Sequence, residues 1–250
     1  MRDDEFMDKK VVEKYDVRIP YCLGRPDLHG WWGTWEKCRF DSMEANLKKG
    51  DILFDVGAEV GWISAIYAKY FVGAENMVMF EPVPNNWSMI KRIWQEMGLT
   101  KPLAMMCALV GAETIVPEGI DYDNTLLEDG WPVVSNVDLF LGRNFRYIHE
   151  HAHRTAQITI DDFVSSTKIV PNAITIDIEG AELLALKGAE KTLVTFSPKA
   201  WVSIHPDLLE RDYPPTKPQD VLDFMEGLGY TRTLLGFDHE EHNYFEKRPT

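Results

Sequence analysis

Asp55, Gly57, Gly61 and Glu81 have the types and the spacing of a nucleotide-type cofactor site. The run ILFDVGAEVG at 52–61 reads as a buried strand (Ile52 to Val56), a glycine turn (Gly57 to Gly61) and a helix starting near Trp62. Met77 to Phe80 is a second apolar strand, and it ends on Glu81. A strand, glycine turn, helix and strand ending in an acid about 20 residues on is the layout that seats a nucleotide-type ligand. Glycine lets the backbone turn tightly and approach such a ligand closely. The acid accepts hydrogen bonds from both ribose hydroxyls. The competing reading is a tight strand-to-helix turn that holds nothing.

The glycine spacing narrows the ligand. A dinucleotide fingerprint wants glycine at 57, 59 and 62, and the chain has Gly57, Glu59 and Trp62. The second glycine of that fingerprint lets a pyrophosphate lie on bare backbone, and a glutamate there sets negative charge against negative charge. Gly57 and Gly61, preceded by Asp55, suit a ligand that lacks phosphates and carries a cation. S-adenosylmethionine fits, with a ribose, an ammonium and a sulfonium.

The elements that must position these residues alternate from Asp51 onward. Strands are expected near 52–56, 77–81, 102–108, 173–178, 199–205, 230–235 and 242–246, and helices near 61–71, 84–97, 181–190 and 218–228. Such alternation implies a parallel sheet with helices on both faces. The last two strands share a short connection, 236–241, and so pair antiparallel. Residues 1–49 read as an irregular N-terminal cap segment with a short helix at 41–49, Asp41 at its N-cap, and residues 50–250 as the main domain. The stretch 117–155 breaks the alternation and reads as a lid-like insertion over the carboxyl ends of the strands. Trp87, Ile90 and Trp94 have helical spacing and belong to the core.

Composition limits the rest. The chain has 250 residues, 45% of them hydrophobic and 26% charged, which is ordinary for a globular domain. No apolar run is long enough to span a membrane, and MRDDEFMDKK is too charged for a signal peptide. Cys22, Cys38 and Cys107 are few and unpatterned, consistent with reduced thiols in the cytoplasm. A net charge of -14 disfavours a nucleic-acid partner.

Six segments in order, GDILFDVGAEVGW at 50–62, FEP at 80–82, ALVG at 108–111, TIDDF at 159–163, TIDIEGAELLALKGAE at 175–190 and PKAWVSIHP at 198–206, resemble the FkbM-type S-adenosylmethionine-dependent methyltransferases. The resemblance runs from about Gly50 to Phe245. It implies a class I, Rossmann-like three-layer α/β fold, with a seven-stranded, mostly parallel sheet and an antiparallel last strand. It implies methyl transfer from S-adenosyl-L-methionine to a hydroxyl of a sugar, glycan or small metabolite. Carried onto this chain, the cofactor wall comprises Asp55, Gly57, Ala58, Glu59, Gly61, Glu81, Pro82 and Ala108. The family usually has asparagine where this chain has Glu59, and often glutamate at Ser203. The rival functions are an S-adenosylmethionine-binding domain without turnover and a nicotinamide oxidoreductase, against which Glu59 argues.

Methyl transfer is a displacement at the sulfonium methyl, and holding the acceptor in line supplies much of the rate. A hydroxyl acceptor also needs its proton removed or its pKa lowered. The candidates are Asp177, Glu179 and His205, at the carboxyl ends of the fourth and fifth strands. Asp177 and Glu179 are two apart and share a side if the strand continues through them. Asp177 is a candidate base, cofactor partner or metal ligand, with Mg2+ the ion that an oxygen-rich site favours; otherwise it caps the next helix. His149, His151 and His153 alternate as a metal site would, though a solvated loop is the simpler reading. Trp31, Trp32 and Trp35 are either an aromatic platform for the acceptor or anchors of the cap.

Overall fold

The computed structural model describes residues 7–12, 14–20, 36–116, 129–132, 136–137, 156–213, 215–237 and 240–247. Trp31, Trp32, Trp35, His149, His151, His153 and most of 117–155 lie outside the described residues. The elements are β1 (Met7–Val12), β2 (Tyr15–Pro20), α1 (Lys37–Asn46), β3 (Leu53–Val56), α2 (Trp62–Ile66), β4 (Met77–Phe80), α3 (Pro84–Glu96), β5 (Ala104–Met106), β6 (Leu109–Val110), β7 (Gln157–Ile158), α4 (Ile160–Thr167), β8 (Ala173–Ile176), α5 (Glu182–Lys187), α6 (Glu190–Phe196), β9 (Lys199–Ile204), α7 (Pro206–Asp212), α8 (Pro218–Gly227), β10 (Thr231–Phe237) and β11 (Glu241–Glu246).

Seven strands form one sheet in the order β10-β11-β9-β8-β3-β4-β5. β3, β4, β5, β8 and β9 run parallel. β11 is antiparallel to both β9 and β10, as the short connection requires. Strand order reverses at β3, with β4 on one side and β8 on the other, and such switch points place ligands beyond the carboxyl ends of the strands.

Strand periodicity sends alternate side chains to opposite faces. Leu53, Met77, Met79, Ala173 and Trp201 join Phe40, Met43, Trp62, Trp87 and Trp94 in one core. Phe54, Val56, Phe80, Ile174, Ile176 and Val202 join Phe163, Leu186 and Met225 in the other. Because both faces are covered, the strands read as mostly apolar runs, interrupted by the buried polar Asp55, Thr175 and Ser203. Trp87, Ile90 and Trp94 are fully buried, as their spacing predicts.

The N-terminal segment is more regular than expected. β1 and β2 pair as an antiparallel hairpin. The following helix begins at Lys37, so Asp41 lies within it and bonds Lys37 at 2.7 Å instead of capping its start. The run 181–190 is two helices, parted at Gly188 and Ala189. TIDDF opens a further helix, α4, capped by Thr159, whose side chain accepts from the Asp162 amide at 2.9 Å. Of the expected insertion, Asn136 is described. Its side chain accepts from the Cys107 amide at 2.8 Å and donates to the Met105 carbonyl at 2.5 Å, closing the open edge beside β5.

Gly57 lies in close contact with the turn after β8. Its φ is +96°, and a Cβ there would stand 1.9 Å from the Asp177 carbonyl oxygen. The Asp177 amide in turn donates to the Val56 carbonyl at 3.0 Å. Glycine at 57 therefore lets β3 and β8 stay in register where both leave the sheet. Gly57→Ala should cost roughly 2–4 kcal/mol, combining overpacking with an unfavourable backbone angle. Urea unfolding checks this; full stability with weakened ligand binding would show that the glycine serves the ligand alone.

Candidate active site

A cavity of about 410 Å³ opens at the carboxyl ends of β3, β4, β8 and β9. Asp55, Gly57, Ala58, Glu59, Glu81, Pro82 and Ala108 line it, as do Asp177, Glu179 and His205. Gly61 does not: a Cβ there would stand 2.8 Å from Ile90, so this glycine lets α2 pack on α3. Glu36, Arg39, Trp62, Tyr67 and Glu240 also line the cavity.

Glu81 is held by backbone. Its Oε2 accepts from the Glu59 amide at 2.9 Å, and its Oε1 accepts from the Val83 amide at 2.8 Å and from Asn86 at 3.1 Å. These bonds fix the plane of the carboxylate, use both lone pairs of Oε1 and leave one on Oε2. Burial pushes the Glu81 carboxyl up to about 7, against those same hydrogen bonds. Asp55 is buried, and its Oδ2 has no partner among the described residues. Burial pushes it up to about 6, opposed by Ser64 and Arg39.

Glu59 has φ +50°, a conformation that non-glycine residues seldom adopt and asparagine tolerates best. The asparagine usual in the family at this position thus has a backbone explanation. The chain passes from α2 into a π-turn, Tyr67–Val72, which begins with the buried Tyr67 in the cavity wall.

The other half of the cavity is a network of charges. β8 ends at Ile176, and Glu179 has φ +55°, so Asp177 and Glu179 do not alternate as strand residues. They converge all the same. His205 Nε2 lies 3.6 Å from Asp177 Oδ1, 3.7 Å from Glu179 Oε2 and 2.6 Å from Glu240 Oε2. On the other side of the ring, His205 Nδ1 is 2.9 Å from Glu182 Oε1, which also accepts from the Gly180 amide at 2.9 Å. Burial lowers the basicity of His205, yet the bonds to Glu182 and Glu240 outweigh it and push its pKa up to about 11. Carboxylates at both nitrogens thus favour the protonated ring over the neutral one that the expected role as proton acceptor needs.

Arg39 is the second buried cation. Its Nη1 donates to Asp177 Oδ2 at 2.9 Å and to Ser203 Oγ at 3.0 Å, and its Nη2 pairs with Glu36. Burial pushes Glu36 up to about 8, which Arg39 opposes and Asp177 and Glu240 reinforce. Burial also raises Asp177, against the pull of Arg39 and His205. For Glu240, the bond to His205 and the charge of Arg39 overcome burial and lower the pKa.

Glu36, Arg39 and Glu240 are not among the residues expected from the sequence. Glu240 was within reach of it. Once β11 is antiparallel to β9, Glu241 pairs with Ile204, and one step further the register sets Glu240 opposite His205. Arg39 left a weaker mark, a charged residue beside Phe40 and Met43 on an otherwise apolar helix face.

The methyltransferase FkbM domain matches residues 55–232, most of the chain. The chain belongs to this family. Among solved structures it is similar to an FkbM methyltransferase from Methylobacillus flagellatus KT, at 20% identity and TM-score 0.50, over 80% of this chain and 44% of that one. It therefore spans less than half the length of that relative. It is also similar to an rRNA methylase from Streptococcus thermophilus, at 13% identity and TM-score 0.48, over 84% and 93% of the two chains. A third is a putative tRNA (m1A22) methyltransferase from Streptococcus pneumoniae in complex with S-adenosyl-L-methionine, at 11% identity and TM-score 0.44, over 85% and 73%. No curated protein matches the chain. The sheet order, the antiparallel β11 and the family together establish a methyltransferase fold. Among the described residues no helix is long and apolar enough to cross a membrane.

Removing one partner from a buried ion pair leaves a charge uncompensated, at a cost of about 3–5 kcal/mol. Arg39→Met should lose stability of that order in urea unfolding at neutral pH. Adding Asp177→Asn to it should recover part of the loss, since the carboxylate that Arg39 leaves unpaired is then neutral. A single variant as stable as the wild type would mean the network is not structural.

Proposed function

We propose that this methyltransferase transfers the methyl of S-adenosyl-L-methionine to a hydroxyl of a sugar, glycan or small metabolite. The observation that carries the reading is Glu81, fixed by two backbone amides in a cavity that Asp177 and Glu179 also line. Glu81 accepts from the ribose hydroxyls, and Pro82 and Ala108 flank the adenosine. Asp55 and Glu59 serve the ammonium. Carboxylates directly at sulfur would favour the charged substrate over the transition state, which loses that charge, so these acids serve binding.

Asp177 meets the acceptor. Arg39 occupies its Oδ2 and so orients Oδ1 toward the cavity side where His205, Glu179 and Glu240 converge. Oδ1 accepts the hydroxyl proton, Glu179 takes a neighbouring hydroxyl, and His205 acts as a positioning cation. An anionic wall and a net charge of -14 oppose a phosphate-bearing acceptor, so the similarity to RNA methylases is read as one of fold. A nicotinamide cofactor is disfavoured because Glu59 stands where its pyrophosphate would lie. A binding domain without turnover remains the alternative, to be decided by S-adenosylhomocysteine production.

Two outcomes test this reading. Glu81 must be ionised to accept from the ribose as well as from its three present donors, and burial pushes its pKa up to about 7. Its ionised fraction falls from about nine-tenths at pH 8 to about one-tenth at pH 6, so S-adenosylmethionine affinity should fall several-fold over that range. Glu81→Gln should bind more weakly and lose the pH dependence; calorimetry showing a flat profile in the wild type would remove Glu81 from the ribose site. Asp177→Asn should keep cofactor affinity while kcat falls about a hundredfold or more, the usual size of a general-base contribution. Full turnover in that variant, measured with an identified acceptor, would remove Asp177 from the mechanism.

A further inference from the structure

We infer that Asp177, His205 and Glu240 form a binding site for a divalent transition metal, with Glu182 as its outer-sphere support. The three residues come from the end of β8, the end of β9 and the turn before β11, and one ligating atom from each lies within 4.8 Å of the others. All three line the cavity, so an ion has a route to them.

The histidine distinguishes this group from an ordinary acidic cluster. Its Nε2 faces the carboxylates of Asp177, Glu179 and Glu240 at 3.6, 3.7 and 2.6 Å. Ligands in neighbouring positions on one ion, with bonds of about 2.1 Å, lie roughly 3 Å apart, so an ion fits among these atoms with small adjustments. Metal-binding histidines almost always donate their other ring N–H to a carboxylate or carbonyl. Here Nδ1 meets Glu182, which is fully buried and further fixed by the Gly180 amide. Asp177 is likewise oriented, since Arg39 and Oδ2 are paired and Oδ1 faces Nε2. Two ligands thus have their outer partners in place, and the ion takes the position of the proton that Nε2 shares with Glu240. Glu179 is exposed and close enough to serve as a further ligand.

The donor set selects the ion. One imidazole and two carboxylates suit Mn2+, Fe2+, Co2+ or Zn2+, whereas Mg2+ takes oxygen donors and dehydrates reluctantly. Mg2+, the expectation drawn from the carboxylates alone, is therefore the weaker choice. The inference rests on the proposed methyl transfer for its purpose: an ion here would bind the acceptor hydroxyl and lower its pKa. Asp177 would then anchor the ion, and the released proton would pass to solvent or a cavity carboxylate.

The test separates metal binding from methyl transfer. The full chain is stripped with a chelator and titrated with Mn2+, Co2+ and Mg2+ by calorimetry, with the visible absorption of Co2+ reporting a nitrogen donor. One Mn2+ or Co2+ per chain is expected, bound at least tenfold more tightly than Mg2+. Glu240→Gln and Asp177→Asn should each weaken Mn2+ binding by tenfold or more. Glu182→Gln should weaken it by about 10–100-fold, the usual effect of an outer partner. The wild-type titration does not depend on any variant folding: no stoichiometric binding, or a preference for Mg2+, overturns the site. Undiminished binding in folded Glu240→Gln and Asp177→Asn overturns it as well. S-adenosylmethionine binding is measured on the same samples. Its failure with the metal site intact would reject the methyl-transfer reading and leave the site standing.

Discussion

Two buried cations, Arg39 and His205, hold this site together. Without them, Asp177, Glu182 and Glu240 would bring several like charges close together in a partly dry interior. Two unit charges about 4 Å apart repel by roughly 4 kcal/mol at the effective dielectric of such a site, so a few unbalanced pairs would rival the stability of a whole domain. Each cation serves carboxylates from different parts of the chain. Arg39 ties α1 to the end of β8 and to β9, through Asp177 and Ser203. His205 ties the end of β9 to Glu182 at the start of α5 and to the turn before β11. The electrostatic balance is therefore also a mechanical one: the ends of two parallel strands, a helix start and a hairpin turn are fixed by the same few bonds.

This explains which parts of the molecule could be read from the sequence. The sheet was legible because each central strand is a short apolar run bounded by a turn, and because the link between β10 and β11 is too short for a parallel crossover. The glycine turn and Glu81 were legible because each directly follows a short apolar strand, a pattern visible in the neighbouring residues. Glu240 was not singled out, because alone it looks like one more acid in a polar turn. Its role depends on pairing with a strand some forty residues earlier. Arg39 was missed for the same reason, since Asp177 is 138 positions away.

The two glycines of the turn show how a motif can be right in outline and different in cause. Gly57 and Gly61 were both taken to bring the backbone toward a ligand. In the structure each solves a packing problem, Gly57 against the Asp177 carbonyl and Gly61 against Ile90. Of the turn, Gly57, Ala58 and Glu59 still line the cavity, and Gly61 does not. A glycine motif marks a place where backbone must come close to something, and only the fold says to what.

The alternation lost at Asp177 and Glu179 makes the same point for side chains. A strand running through both would have aimed them alike. The chain leaves the sheet after Ile176, and Glu179 takes a left-handed conformation that costs about 1 kcal/mol or more. That strain turns the chain so that Asp177 and Glu179, from a different backbone geometry, face the same imidazole within 0.1 Å of equal distance, at 3.6 and 3.7 Å. Strained positions persist only where surrounding structure fixes them. Here Gly180 at φ +100° continues the turn, and its amide donates to Glu182, the carboxylate that orients His205. The bend that carries Glu179 into the cavity is thus closed by the residue that holds the histidine, which makes the turn after β8 the point where backbone strain, the charge network and the cavity wall meet.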